Sequence, residues 1–195
     1  MKNLIRPTLV MLALMTLVTG FAYPILVTAI GQTFMPNQAN GSFVVRDGKP
    51  IGSSLIGQSF SSAKYFWSRP SATSPMPNNA AASSGSNLGP TNPALKNAVA
   101  GRIEALQKAD PTNKFAVPID LVTASASGLD PDISEAAARY QVARIATARG
   151  LAVAQVSGLV DSHRESVLFG FIGEPRVNVL RLNLALDAIV ESGKS

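Results

Sequence analysis

An uninterrupted apolar stretch near the N-terminus, residues 8–30, contains no charged residue. As an α-helix rising about 1.5 Å per residue it would be roughly 34 Å long, enough to cross a hydrocarbon core about 30 Å thick. Lys2 and Arg6 precede the stretch, and the next charged residue after it is Arg46. Because positive charge marks the cytoplasmic end of a membrane helix, we predict a cytoplasmic N-terminus over 1–7, a transmembrane helix over 8–30 and an exported domain over 31–195.

A cleaved signal peptide is the alternative interpretation of this stretch. The triplet Gly20-Phe21-Ala22 has the small-x-small pattern of a cleavage site. However, the apolar run continues to Ile30, and Pro24 would lie directly after the cut. The length of the run therefore favours an uncleaved anchor. Both interpretations place the rest of the chain outside the cytoplasm.

Composition excludes several kinds of site. The chain has no cysteine and one histidine, His163, so it cannot contain a disulfide, a cysteine-ligated metal or a histidine cluster. Its net charge of +5 is small, and the cations are scattered rather than clustered. A nucleic-acid partner is therefore not expected. We predict no metal site and no cofactor bound by this chain itself.

The segments after the anchor predict an α+β fold, with a small sheet packed by helices. Asp47-Gly48 is a turn dipeptide between two strand-like segments, which predicts a hairpin. Asn92-Pro93 is a typical helix start, and Gly150 is a typical residue after a helix end. Residues 178 onward fit either a helix capped by Asn178 or a strand, and the Ala, Leu and Asp content favours the helix. The predicted strands are 42–45, 49–56 and 116–124, and the predicted helices are 93–109, 134–149, 152–160 and a last helix from Asn178.

Residues 65–93 divide into an aromatic triplet and a long polar segment. Tyr65-Phe66-Trp67 contains the only tryptophan, and we predict that it anchors the core rather than forming an exposed patch. Residues 68–93 are rich in Ser, Pro, Asn and Ala, which by composition alone is typical of a flexible linker. Long loops within a compact domain are also often functional.

Motifs for catalysis are nearly absent. The chain has no glycine-rich phosphate loop and no Gly-x-Ser-x-Gly. Ser61 and Lys64 form a Ser-x-x-Lys pattern, the nucleophile signature of penicillin-interacting enzymes, but its companion Ser-Asp-Asn and Lys-Thr-Gly motifs are missing. Asp130 and Asp132 are expected to cap the following helix, with cation binding as the weaker alternative. We therefore predict no catalytic residue, and a membrane-tethered penicillin-interacting enzyme remains the alternative.

Five blocks of the sequence resemble the C subunit of Kdp-type potassium-transporting ATPases. The most specific is Val122-Thr-Ala-Ser-Ala-Ser-Gly-Leu-Asp130. The blocks occur in the order typical of the family, behind a single N-terminal membrane helix. Ser84 stands where the family is expected to have Gly, and Asp132 where His is frequent. The resemblance covers essentially the whole chain through blocks at 55–60, 65–72, 84–93, 117–130 and 173–187.

The resemblance implies a non-catalytic accessory subunit of a high-affinity, ATP-driven potassium uptake complex in the cell inner membrane. Its partners would be a channel-like potassium-binding subunit, a P-type ATPase subunit and a small helical subunit, and these partners would handle ATP and K⁺. The family is described as needed for assembly and as promoting ATP binding by the ATPase subunit. With an exported domain, that effect would have to be transmitted through the membrane subunits. The domain could instead cover the outer mouth of the channel-like subunit.

The resemblance also changes the expectation for residues 68–93, which become an ordered, partner-facing loop. Small polar residues in two turn-rich loops make poor core residues and are predicted to contact a partner, although such residues also commonly satisfy turn backbones. In the membrane helix, Ala13, Thr16 and Gly20 share one face on which a partner helix could pack closely. The predicted partner-binding residues are Gly20, Ser86, Asn87, Ser125, Ser127 and Asp130.

Overall fold

The computed structural model describes residues 2–167 and 170–192 and divides the chain into two units, Met1–Ile51 and Gly52–Ser195. The first unit begins with α1 (Lys2–Leu17), a π-helical segment (Val18–Ala22) and α2 (Tyr23–Phe34). Together these form one apolar helix, Asn3–Phe34, that is long and apolar enough to span a membrane. A short helix, α3 (Pro36–Ala39), follows it.

The π-helical segment ends at Ala22, two residues before Pro24. The Tyr23 amide donates to the Val18 carbonyl, five residues earlier. In a regular α-helix the Pro24 ring would collide with the Gly20 carbonyl, four residues before it. The wider π turn gives that ring room, so the helix continues past the proline.

The predicted hairpin is confirmed. It consists of β1 (Phe43–Arg46) and β2 (Lys49–Ser53), which pair as a two-stranded sheet. Asp47 and Gly48 have φ angles of 52° and 74°. Positive φ at both central residues is the type I′ turn that Asp-Gly favours.

The second unit contains the predicted helices. These are α4 (Pro93–Ala109), α5 (Glu135–Arg149), α6 (Val153–His163) and α7 (Val179–Ser192). Asn92 caps α4 by accepting a hydrogen bond from the Ala94 amide, and Gly150 ends α5 with a φ of 67°. At α7, the Asn178 side chain accepts from the Arg181 amide at 3.1 Å. The helical interpretation of this last segment is therefore confirmed.

A three-stranded antiparallel sheet packs with these helices. Its order is β3 (Asp132–Ser134), β5 (Arg176–Asn178) and β4 (Arg164–Glu165). Ile133 pairs with Val177 at the buried centre of the sheet. The α+β fold class is confirmed, but these three strands were not predicted. The core residues that are fully buried include Phe66, Ile133, Ile145, Val156, Val160, Val177, Leu182 and Leu186.

The predicted strand over 116–124 is wrong. Residues Ile119–Leu121 form a 3-10 turn instead. Pro118 has no amide to donate to a ladder, and the Ile119 carbonyl accepts from the amide and the hydroxyl of Thr123. The Asp120 carboxylate accepts from the amide and the hydroxyl of Ser134. The turn therefore supports the start of α5.

The predicted capping role of Asp130 and Asp132 is also wrong. Ser134 caps α5, because its hydroxyl accepts from the Ala137 amide at 3.0 Å. Asp130 accepts from the Asp132 amide, and Asp132 accepts from the Asn178 side chain at 3.0 Å. Both carboxylates stabilise the chain before the helix rather than the helix N-terminus itself.

Two buried side-chain amides hold the aromatic triplet in place, and we call this pair the amide clamp. Asn183 accepts from the Phe66 amide at 2.8 Å and donates to the Phe66 carbonyl at 3.0 Å. Gln141 makes the same two bonds with Trp67, at 2.8 and 3.2 Å. Phe66 is completely buried and Trp67 packs against the core. The predicted role of the triplet as a core anchor is confirmed.

Arg144 adds a charged contact to the same segment. Its guanidinium donates to the carbonyls of Ala63 and Tyr65 and lies 4.4 Å from the centre of the Trp67 ring. Burial lowers the pKa of Arg144 to about 10, and nearby Asp110 partly opposes this effect. Arg144 therefore remains charged at neutral pH and fixes the backbone of residues 63–65 against α5.

Candidate partner-binding surface

Two irregular loops of the second unit, 83–87 and 125–130, lie side by side, and we call them the two-loop surface. The Ser127 carbonyl accepts from the Ser84 amide at 2.9 Å and from the Ser83 hydroxyl at 3.0 Å. A side chain at Gly85 would come within 2.8 Å of the Ala126 carbonyl oxygen. The structure thus brings together two loops that the sequence could only predict separately.

The predicted partner residues differ in accessibility. Ser86, Asn87 and Ser127 are exposed. Asn87 has a φ of 52°, a left-handed conformation that asparagine tolerates better than most residues. These three side chains are therefore available for a partner on the surface.

Ser125 is buried, and its hydroxyl accepts from the Gly128 amide at 2.9 Å. Ser127 also makes a local bond, because its hydroxyl accepts from the Leu129 amide at 3.1 Å. Both contacts satisfy the turn backbone, which is the structural role that small polar residues commonly have. Ser125 shapes the surface from inside, whereas Ser127 remains reachable.

Asp130 is half-buried and forms an ion pair with Arg69, with 2.9 Å between Nη1 and Oδ2. It also accepts from the Asp132 amide. The Gly57 amide donates to the neighbouring Leu129 carbonyl at 2.8 Å. Asp130 therefore joins the two-loop surface to the segment that follows the aromatic triplet.

Asp132 lies two residues after the end of the two-loop surface and is only partly exposed. Burial raises the pKa of its carboxyl, and the Asn178 amide and Arg176 act in the opposite direction. Arg176 lies 3.2 Å away. Asp132 thus contributes to the sheet rather than to an open site.

Sequence reasoning missed three residues that build this surface. Gly128 has a φ of 67°, and a side chain there would lie 2.5 Å from the Ser84 carbonyl oxygen. The Ser71 hydroxyl donates to the Gly128 carbonyl at 2.7 Å and accepts from the Asn78 amide. Arg69 is the third. The block 65–72 was a signal for Arg69 and Ser71, but nothing in the sequence indicated which loop they would contact.

Residues 68–93 make many side-chain contacts, as expected of an ordered loop. The Thr73 hydroxyl donates to the Met76 carbonyl and accepts from the Asn79 amide. Asn79 caps the 3-10 turn Ala80–Ala82. That this loop faces a partner stays a prediction.

Gly20, in the first unit, lies within the π-helical segment and is exposed. A Cβ atom there would lie 3.8 Å from Cγ2 of Thr16. Gly20 therefore lies on the same side of the helix as Thr16, and among the described residues no other side chain lies within 4 Å of that Cβ position.

The Ser-x-x-Lys residues do not form a reactive pair. Ser61 to Lys64 lies in a turn rather than a helix, and both residues are exposed. No hydrogen bond joins their side chains in the part of the chain that the structure describes. Over residues 2–167 and 170–192, no group of three or more potential metal ligands is found.

Comparisons with known proteins agree across the chain. Residues 5–188 match the family described as KdpC, the K⁺-transporting ATPase c chain. Similar proteins named potassium-transporting ATPase KdpC subunit occur in Methylibium petroleiphilum, at 63% identity over 187 residues (96% of this chain, 98% of that protein), and in Variovorax paradoxus, at 63% over 188 residues (96% and 97%). A third, from Herminiimonas arsenicoxydans, is 62% identical over 187 residues (96% and 98%).

Proposed function

Because the chain belongs to the KdpC family of K⁺-transporting ATPase subunits, we propose that it uses both of its units to bind the other subunits of such a complex. It is an accessory subunit rather than the catalytic one. Its N-terminal helix, Asn3–Phe34, is long and apolar enough to anchor it in the membrane. The match over nearly the whole chain carries this conclusion. The penicillin-interacting alternative has no support.

The proposed partners are a channel-like potassium-binding subunit, a P-type ATPase subunit and a small helical subunit. In this arrangement the partners handle ATP and K⁺, and this chain binds no cofactor of its own. Absence of any nucleotide-binding motif supports that division of labour. The exposed residues Ser86, Asn87 and Ser127 are the proposed contact residues, and Ser125 and Asp130 hold the loops that present them.

We propose that the chain lies in the inner membrane with its N-terminus in the cytoplasm. The domain that follows the membrane helix, here called the large unit, is then periplasmic. Lys2 and Arg6 precede the membrane helix, and no charged residue follows it before Arg46. This asymmetry favours the proposed orientation. Any effect on ATP affinity then passes through the membrane subunits as a coupling between conformational states. The alternative proposal for the exported domain is that it covers the outer mouth of the channel-like subunit instead.

Protease treatment of spheroplasts tests the orientation. External protease is expected to degrade the large unit and to leave an N-terminal cytoplasmic tag intact. The same digestion after detergent lysis should remove the tag as well, which controls for protease resistance. A protected large unit would contradict the orientation, and release of the unit on osmotic shock alone would support a cleaved signal peptide.

The membrane helix is proposed to pack against a helix of a large subunit along Ala13, Thr16 and Gly20. Close approach across small residues stabilises helix pairs in lipid, where no hydrophobic drive operates between helices. Gly20→Leu fills the open space at this face, so we expect less co-purification of the large subunits and poorer growth at limiting potassium. Leu14→Ile is the control. If Gly20→Leu assembles and supports growth like the parent, the helix is only a tether.

A further inference from the structure

A surface cleft of about 400 Å³ lies in the second unit, beside the aromatic triplet. One wall is apolar and comprises Phe60, Trp67, Leu106 and Leu121. Leu106 and Leu121 are buried core residues, and Phe60 and Trp67 pack against the same core. The wall is therefore fixed in place before any ligand arrives.

Two arginines line the same cleft, Arg69 and Arg102. Arg69 is paired with Asp130, but its buried Nε has no hydrogen-bond acceptor. Arg102 donates to the Val122 carbonyl at 2.7 Å. Among the described residues, no carboxylate lies within 4 Å of Arg102, so one positive charge in the cleft has no counter-ion.

Desolvation strengthens the attraction of this charge for an anion. Burial lowers the pKa of Arg102, as expected for a guanidinium that loses water without gaining an opposite charge. Ser61 lines the cleft at its exposed rim, and its hydroxyl makes no hydrogen bond within the described chain. The cleft thus combines an uncompensated guanidinium, a free hydroxyl and a rigid apolar wall.

We propose that this cleft binds an acidic side chain, flanked by apolar residues, from a partner subunit of the same complex. The inference rests on the proposed function and names a second contact beyond the two-loop surface. Guanidinium groups match carboxylates in shape and charge. The apolar wall adds binding energy only if the carboxylate arrives on a chain that carries apolar groups, which favours a polypeptide over a dissolved anion.

The Arg69–Asp130 ion pair connects the cleft to the two-loop surface. Asp130 belongs to the loop 125–130, and Arg69 lines the cleft. A partner segment that lies along the surface can therefore place one acidic residue at Arg102. Charge complementarity favours a carboxylate as the occupant, because the arginines and the Ser61 hydroxyl that line the cleft are hydrogen-bond donors and a carboxylate is an anionic acceptor.

A carboxylate introduced into this chain at the cleft tests the proposal, because it competes with the partner's acidic side chain for the same arginine. Ser61→Glu supplies a carboxylate at the rim of the cleft, and Ser61→Gln has nearly the same shape without the charge. In the full complex purified from detergent-solubilised membranes, we expect Ser61→Glu to lower retention of the large subunits about tenfold. Ser61→Gln replaces the hydroxyl by an amide that can still donate, so it should lower retention much less than Ser61→Glu. Arg102→Gln, which can still donate to the Val122 carbonyl, should lower retention like Ser61→Glu.

Fluorescence of Trp67, the only tryptophan, checks that each full-length variant is folded. Equal retention of parent, Ser61→Glu and Arg102→Gln would overturn the cleft proposal while leaving the accessory function intact. Failure of the parent itself to retain any ATPase subunit would instead contradict the proposed function. A photo-crosslinking residue at Ser59 should capture a partner peptide that contains Asp or Glu, and capture of no polypeptide would also overturn the proposal.

Discussion

Asn183→Ala is expected to lower the free energy of unfolding by about 2–6 kcal/mol, because it leaves the amide and the carbonyl of Phe66 buried without partners. Asn183 is 2% exposed and Phe66 is 0% exposed, so water cannot replace the lost bonds. The Asn183 side chain makes both hydrogen bonds itself. No other side chain in the described residues is bonded to these two groups.

Urea unfolding of the full-length chain in detergent, followed by Trp67 fluorescence, measures this effect. Trp67 is next to Phe66, so its emission reports directly on the amide clamp. Arg181→Ala is the matched control on α7, because Arg181 is exposed and its ion-pair distance to Glu165 is 4.0 Å. The control should change stability by less than about 0.5 kcal/mol. A loss below about 1 kcal/mol for Asn183→Ala would mean that the clamp is not needed.

Gly128→Ala is expected to have the second large effect, this time on the two-loop surface. An added Cβ would lie 2.5 Å from the Ser84 carbonyl oxygen and 2.7 Å from Cγ2 of Thr73. The backbone at φ 67° is also unfavourable for alanine. We expect a loss of about 2–6 kcal/mol in stability from strain and overpacking, together with loss of the large subunits on purification.

Gly150→Ala is the control for backbone strain alone. Gly150 has the same φ of 67°, but nothing lies within 4 Å of an added Cβ. Gly150→Ala should lower the free energy of unfolding by about 1–2 kcal/mol and leave assembly of the complex intact. Equal losses for the two variants would show that the loops can move apart freely.

Replacing Asn87 and Ser127 together by alanine tests whether these side chains contact a partner subunit or only stabilise their own loops. Both side chains are exposed, so the only expected loss of stability is the cost of alanine at the left-handed φ of Asn87, at most about 1–2 kcal/mol, while co-purification weakens. A large fall in melting temperature with assembly intact would assign them a structural role.

Local signals in the sequence predicted the helices and the hairpin correctly. Asn92, Gly150 and the Asp47-Gly48 dipeptide act on their immediate neighbours, so their effect can be inferred without tertiary structure. The strands β3, β4 and β5 are two or three residues long. Such segments are too short to show an alternating pattern, which is why the three-stranded sheet was missed.

The site was predictable in its residue types but not in its geometry. Ser127 and Asn87 stand out in the sequence as small polar loop residues, and the structure brings their loops together through Ser84 and Ser127. Asp130 was expected at a helix start and instead pairs with Arg69, 61 residues away in the sequence. Long-range pairs of this kind depend on the whole fold and leave no local signal. For the same reason, the sequence alone does not indicate Arg69 or Gly128 as part of this surface.

The amide clamp also constrains when the domain can fold during biosynthesis. Phe66 and its partner Asn183 are separated by 117 residues, and Val177 completes the sheet between β3 and β4. A nascent chain that ends before β5 therefore has no partner for the Phe66 backbone and no central strand, and one that ends between β5 and α7 still lacks Asn183. Folding of this unit must wait until nearly the whole chain has left the ribosome. Truncated chains cannot reach the assembled form, so the C-terminal helix makes assembly dependent on complete synthesis.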